Sequence, residues 1–247
     1  MTSLLNPYRF TAAAFVPTDI AGCALWLDAS DAASITHAAN VISQWNDKSG
    51  NTNHAAQATE NRKPIYGTDA TTGKGKVTFD GANTSAGDFM SIPDHATLDL
   101  TTGMTFFLAL DLASLPAYGC LFSKDDTTWA TAYACIANSA GTSLSARANG
   151  TSALMASASL TGRHVVIGRK SGTHLDGYWD SATYTTHTSM AGNITANAKP
   201  LYVAGGDGAG LYGCGGAYFE KILYNNDIGD ANITTVFDYL KAKWSTT

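Results

Sequence analysis

Two carboxylates held about 5–5.5 Å apart can cleave a glycosidic bond with retention, one as acid and one as nucleophile. The chain has only two glutamates, Glu60 and Glu220, and neither has a second acid two residues away. Asp176 and Asp180, flanking Gly177-Tyr178-Trp179, leave an aspartate-only pair. A serine hydrolase elbow of the form Gly-x-Ser-x-Gly is absent. Calcium wants six to eight hard oxygens. Asp47 with Ser49 and Asn51, Asp80 with Asn83 and Asp88, and the pair Asp125-Asp126 could each supply some of them. The same residues also build ordinary turns, because their side chains bond local backbone; both readings stand for each loop. Saccharides are gripped by an aromatic face with planar hydrogen-bonding groups beside it. Trp129 and Tyr133, with Lys124, Asp125 and Asp126 just before, form one such cluster. Tyr178, Trp179 and Tyr184, with Asp176 and Asp180, form another. The alternative for each aromatic is a place in the core or at its rim.

Other chemistries find less support. The six histidines show no metal-ligand spacing, and the cysteines, Cys23, Cys120, Cys135 and Cys214, are too scattered for a zinc motif. A Cys120–Cys135 disulfide is conceivable, but buried free thiols are the expectation for a chain made in a reducing cytosol. A net charge of −5 without any run of Lys or Arg excludes a phosphate-binding surface, so no nucleic-acid partner is expected. Basic residues adjoin only in pairs such as Arg62-Lys63. No segment is long and apolar enough to span a bilayer, and the apolar stretch at Ala12–Val16 is too short for a secretion signal. It is read as retained.

The elements that must position these groups are strands. Short alternating runs separated by Gly, Asn, Asp and Ser clusters mark an all-β chain. Met104–Leu110 is almost continuously apolar, as in a central strand buried on both faces. One helix is expected near the C-terminus: Ile233, Val236, Phe237, Leu240 and Trp244 form a single stripe, Asp230 is placed to cap it, and Lys241 and Lys243 occupy the last turn. Residues 1–19 lack alternation and carry Pro7 and Pro17. They read as a docking arm in which Leu5, Pro7, Tyr8 and Phe10 are the contact residues, followed by one domain over residues 20–247.

Four segments carry a resemblance to a known family. They are Ala24-Leu25-Trp26-Leu27-Asp28-Ala29-Ser30-Asp31 with Val41–Asn51, Val77-Thr78-Phe79-Asp80-Gly81 with Phe89–Ile92, Glu220–Asn225, and Tyr239–Trp244. In that order they resemble concanavalin A-like, laminin-G-like domains of the kind found on virion proteins of tailed bacteriophages. The resemblance implies a two-sheet antiparallel jelly-roll sandwich with one C-terminal helix. Trp26, Trp45 and Trp244 would then be core residues. Glucanases of this fold carry Glu-x-Asp-x-Glu on one strand, which this chain lacks. The implied function is therefore non-enzymatic: a virion surface protein that decorates the capsid or rides on the tail, held by its N-terminal arm to other virion proteins. A homo-oligomer, which would cover exposed strand edges, and a host or environmental polysaccharide are its expected partners. No cofactor is required, a loop calcium being the one the family allows. Free lectin modules and polysaccharide-cleaving enzymes are the other readings.

Overall fold

The computed structural model describes residues 14–82, 84, 86–124, 131–207 and 211–246. In chain order, β1 covers Cys23–Asp28, β2 Ile35–Ala38, β3 Val41–Trp45, β4 Ala55–Ala56, β5 Ile65–Thr68 and β6 Gly75–Phe79. Then come β7 (Met90–Ile92), β8 (Met104–Ser114), β9 (Cys120–Ser123), β10 (Tyr133–Ala137), β11 (Leu144–Ala148) and β12 (Thr151–Ala156). The last strands are β13 (Gly162–Ser171), β14 (His174–Trp179), β15 (Thr186–Ser189), β16 (Leu201–Val203) and β17 (Gly215–Tyr224), and the helix α1 spans Gly229–Trp244.

Named strands pair antiparallel throughout, as expected for an all-β chain with one C-terminal helix. One ladder runs β15–β14–β13–β8–β17–β1, and a second runs β4–β7–β16–β9–β10–β11–β12. Strands β6, β5 and β3 connect them, β6 pairing with the first half of β17 and β3 with β4.

Strand β8 is central, as its apolar run requires. Met104, Phe106, Leu108, Leu110 and Leu112 enter the main core, where Phe106 meets Phe122 of β9 edge-on at 4.7 Å. Phe107 and Ala109 point the other way, into a second cluster built with α1. A side chain at Gly168 of β13 would overlap the Phe106 ring. Trp45 and Trp244 are fully buried and Trp26 nearly so.

The helix stripe is buried as its spacing demands: Ile233, Val236, Phe237, Leu240 and Trp244 all lie against the outer face of the first ladder. Its start differs from expectation. Asp230 falls inside the first turn, whereas Asp227 accepts the Gly229 N–H at 2.9 Å and is gripped by Arg169 at 2.7 and 2.9 Å. Gly229 turns the chain there with φ of 76°, and the N-cap falls at Ile228, two residues before the position a simple capping rule names. The end of the expected arm lies on this same side. Phe15 packs edge-on against Tyr239 at 5.3 Å, and the Tyr224 hydroxyl donates to the Pro17 carbonyl at 3.0 Å. Leu5, Pro7, Tyr8 and Phe10 lie outside the described residues.

Glu220 ties these parts together. Its buried carboxylate accepts from Trp26 Nε1 (2.7 Å), Tyr239 Oη (2.8 Å) and Trp244 Nε1 (2.7 Å), and Lys243 Nζ lies 2.8 Å away. Lys243 also reaches Asp28 at 2.9 Å, and Lys48 joins Asp28 at 3.1 Å. Burial raises the Glu220 carboxyl above its ordinary range, with Asp28 adding to the rise and Lys243 opposing it. Burial would also raise Asp28, but Lys243, Ser30 and Lys48 outweigh it and hold that carboxyl low.

All four cysteines are free thiols. Cys135 enters the main core, whereas Cys120, paired with Ile136, faces out from the other side of the same ladder. Adjacent positions on a strand face opposite ways, so the Cys120–Cys135 bridge is excluded by parity. Burial pushes the Cys135 thiol up to about 12.

Candidate functional site

The second aromatic cluster of the sequence is divided by the pleat of β14. Leu175 and Trp179 turn toward the main core and Asp176 and Tyr178 the other way. Trp179 is partly buried, its ring 4.2 Å from that of His164. Asp180 accepts from the Val165 N–H at 2.8 Å and meets His164 Nδ1 at 2.7 Å. As a binding partner of Tyr184, Trp179 is therefore corrected: it stands on the opposite side of the strand.

Tyr184 precedes β15 and is half exposed. Its ring lies 5.2 Å from that of His187, which is stacked 3.7 Å from His174. The three rings form a row along the edge of the first ladder. Asp176, opposite His187 in the ladder register, is almost buried and meets His187 Nδ1 at 2.5 Å. That contact makes Nδ1 the protonated nitrogen and leaves Nε2 as the acceptor in the neutral ring. Tyr178 stands edge-on to Tyr184 at 6.1 Å. Burial raises the Tyr178 phenol, while Arg169 works against the rise.

Between this row and the start of α1 is a shallow cavity of about 290 Å³, lined by Tyr178, Ala182, Thr183, Tyr184, Asp230 and Thr234. Its chemistry is an aromatic face, two hydroxyls and an exposed carboxylate. A pyranose or furanose ring offers the complementary surface: apolar C–H groups on one face and hydroxyls at the edge. Sequence reading missed His174, His187, Thr183, Asp230 and Thr234. The alternation of 174, 176 and 178 was legible, but pairing with β15 and the placement of α1 are long-range facts.

The other predicted site residues are accounted for as follows. Tyr133 is 1% exposed, its hydroxyl donating to the Leu98 carbonyl at 3.0 Å. It is a core residue, and its assignment to a glycan face is corrected. Trp129 and Asp126 lie outside the described residues. The Asp47 carboxylate accepts from the N–H groups of Trp26, Ser49 and Asn53 and from the Ser49 hydroxyl. The Asn51 amide donates to the Cys23 and Ala24 carbonyls. These two residues form a turn clamp on β1 and are corrected as calcium ligands, because backbone donors already occupy the carboxylate. Asp80 accepts from Ala82 and Asp88 N–H groups, and Asp88 accepts from Asp80 in return. Burial and the Asp80 charge push the Asp88 carboxyl up to about 6. This too is a turn lock, and among the described residues no group of three His, Cys, Asp or Glu side chains is placed to hold a metal ion. No described helix is long and apolar enough to cross a membrane.

No family model matches the chain, and no curated protein sequence does. Solved structures do resemble it. A Trypanosoma rangeli sialidase in complex with sialic acid aligns over 92% of this chain at 13% identity, with a TM-score of 0.59. Domain 4 of AbnA, a GH43 extracellular arabinanase from Geobacillus stearothermophilus solved with arabinotriose, aligns over 88% at 10% identity, TM-score 0.58. A structure of botulinum neurotoxin type C, whose cell entry depends on two ganglioside molecules, aligns over 90% at 9% identity, TM-score 0.60. The chain spans 34% of the sialidase and 52% of the neurotoxin chain, but 98% of the arabinanase domain. At these identities the likeness is one of fold, an antiparallel all-β domain.

Proposed function

We propose that the chain is a non-catalytic, lectin-like glycan-binding module with a concanavalin A-like jelly-roll sandwich, displayed on a virion surface. The observation that carries the glycan reading is the cavity beside Tyr184, where an exposed ring, two threonine hydroxyls and a carboxylate converge. Neighbours solved with sialic acid and arabinotriose support it. The two packed ladders support the sandwich: Phe106 and Phe122 meet across them inside one core.

Neither glutamate supports a catalytic reading. Glu220 is consumed by three donors and an ammonium in the interior, and Glu60 is an exposed partner of Lys63. The virion setting rests on the resemblance in the four motifs and on the arm, which would tie the domain to other virion proteins while a homo-oligomer covers strand edges.

Tyr184→Ala should weaken glycan binding about tenfold or more, the loss of a central aromatic anchor, with thermal stability unchanged. Isothermal titration with the best ligand from a glycan panel measures it. Unchanged affinity removes this cavity as the site. For the setting, mass spectrometry of purified particles should find the chain in stoichiometric amounts, and particles lacking it would remove the virion assignment. Deleting residues 1–19 should abolish incorporation; normal assembly of the truncated chain contradicts the arm.

A further inference from the structure

Three side chains at the seam of β1, β17 and α1 are arranged to form a bond with one another. Asp28 and Glu220 stand directly opposite in the β1–β17 register, so both carboxyls rise from one face of the ladder, the face that α1 covers. Lys243, in the last turn of α1, enters between them. Its Nζ lies 2.9 Å from Asp28 Oδ1 and 2.8 Å from Glu220 Oε2. Asp28 is 3% exposed and Glu220 fully buried, while the Lys243 side chain keeps 15% of its surface. Trp26, Trp244 and Tyr239 each donate a hydrogen bond to Glu220, which is thereby closed to an external substrate but open to Lys243.

The other contacts on Asp28 suit an acyl centre. Oδ1 also accepts from the Ser30 N–H at 3.0 Å and the Ser30 hydroxyl at 2.6 Å, and Oδ2 accepts from Lys48 Nζ at 3.1 Å. Donors placed in this way stabilise the negative charge of a tetrahedral intermediate. Glu220 is the proton acceptor beside the amine, and burial raises its carboxyl above the ordinary range, in the direction of the ammonium it must deprotonate. Lys48 reaches Asp28 as well, but its second partner is Asp31 rather than Glu220. Of the two amines on Asp28, only Lys243 therefore has a buried base.

We propose that Lys243 and Asp28 join in an intramolecular isopeptide bond, with Glu220 as the base. Glu220 takes a proton from the Lys243 ammonium, and the freed amine attacks Asp28 Cγ. The Nζ–Cγ bond forms and the Cγ–Oδ2 bond breaks. Oδ2 leaves as water with the two protons that nitrogen gives up, Glu220 accepting at nitrogen and Lys48 donating at Oδ2. One ammonium and one carboxylate become one amide and one water, with no oxidant, no reductant and no change in net charge. A buried ion pair carries a desolvation cost that a neutral amide does not, and a site that excludes water protects the bond from hydrolysis. The link staples the first strand to the last helix, closing a loop around nearly the whole domain, a constraint on the unfolded chain of the kind a disulfide imposes. It is independent of the glycan-binding reading.

Mass spectrometry of the full chain, purified and then denatured, is the test. The wild type is expected to be lighter than its sequence by one water, and its proteolytic digest to contain a branched peptide joining residues 28 and 243. Lys243→Arg, which keeps a cation beside Asp28 without an amine to acylate, should carry the full mass, as should Asp28→Ala. Glu220→Gln, which keeps an acceptor oxygen but is no base, should form the link about a hundredfold or more slowly on timed incubation. Tyr184→Ala should form it as the wild type does. A wild-type chain at its full sequence mass overturns the proposal, and needs no variant to fold. So does a water lost elsewhere in the chain, as in a succinimide at another Asp, or a link that forms at the wild-type rate in Glu220→Gln.

Discussion

Glu220→Leu is expected to destabilise the domain by about 3–5 kcal/mol, the range for removing one partner of a buried ionic pair. The loss goes beyond one contact. Trp26 Nε1, Trp244 Nε1 and Tyr239 Oη lose their common acceptor, and Lys243 keeps its contacts to Asp28 and the Tyr239 hydroxyl. Because the carboxylate joins β1, β17 and α1, the helix should loosen first. For a domain of this size the change lowers the melting temperature by roughly 6–20 °C. Glu220→Gln, which keeps an acceptor oxygen, should lose less. Thermal melts of the variants check this, and a loss below about 1 kcal/mol in the leucine variant would show that the hub is not a staple.

Lys221→Met is expected to have the opposite sign. Lys221 enters the main core from β17, fully buried, with Nζ 3.0 Å above the Phe122 ring centroid and no hydrogen-bond partner among the described residues. An unsatisfied buried polar group costs about 1–3 kcal/mol, so a methionine of similar length should stabilise the fold by about that much at neutral pH. Burial depresses the amine well below its ordinary 10.5, with the Cys135 thiol a minor opposing influence. The unfolded chain therefore binds a proton that the folded chain does not, from the folded pKa up to 10.5. Across that window wild-type stability rises with pH by up to about 1.4 kcal/mol per unit relative to the variant, and below it the penalty stays constant. Urea melts of both proteins across the alkaline range measure the difference. Parallel curves would mean that Lys221 is charged and partnered in the folded state.

What the sequence disclosed follows from periodicity and parity. The stripe from Ile233 to Trp244 and the run from Met104 to Leu110 are local patterns, and each lies where its pattern requires. The three tryptophans in the resemblance motifs are core residues, as the resemblance implied. The aromatic clusters were harder, because proximity in sequence does not say which face a strand residue takes. Tyr178 and Trp179 are neighbours on opposite sides of β14, and Tyr133 shares its inward parity with Cys135. The aspartate loops misled differently: Asp47 and Asp80 have the composition of ligand loops, but their oxygens are spent on backbone N–H groups.

The central claim is glycan binding without turnover, and one titration tests it most directly. The full chain is mixed with each member of a broad oligosaccharide panel while bound ligand and newly released reducing ends are measured in the same samples. The account predicts at least one saturable ligand, sensitive to Tyr184→Ala, and no reducing ends above the protein-free control. Release of reducing ends, or a panel without a single saturable ligand, would contradict it.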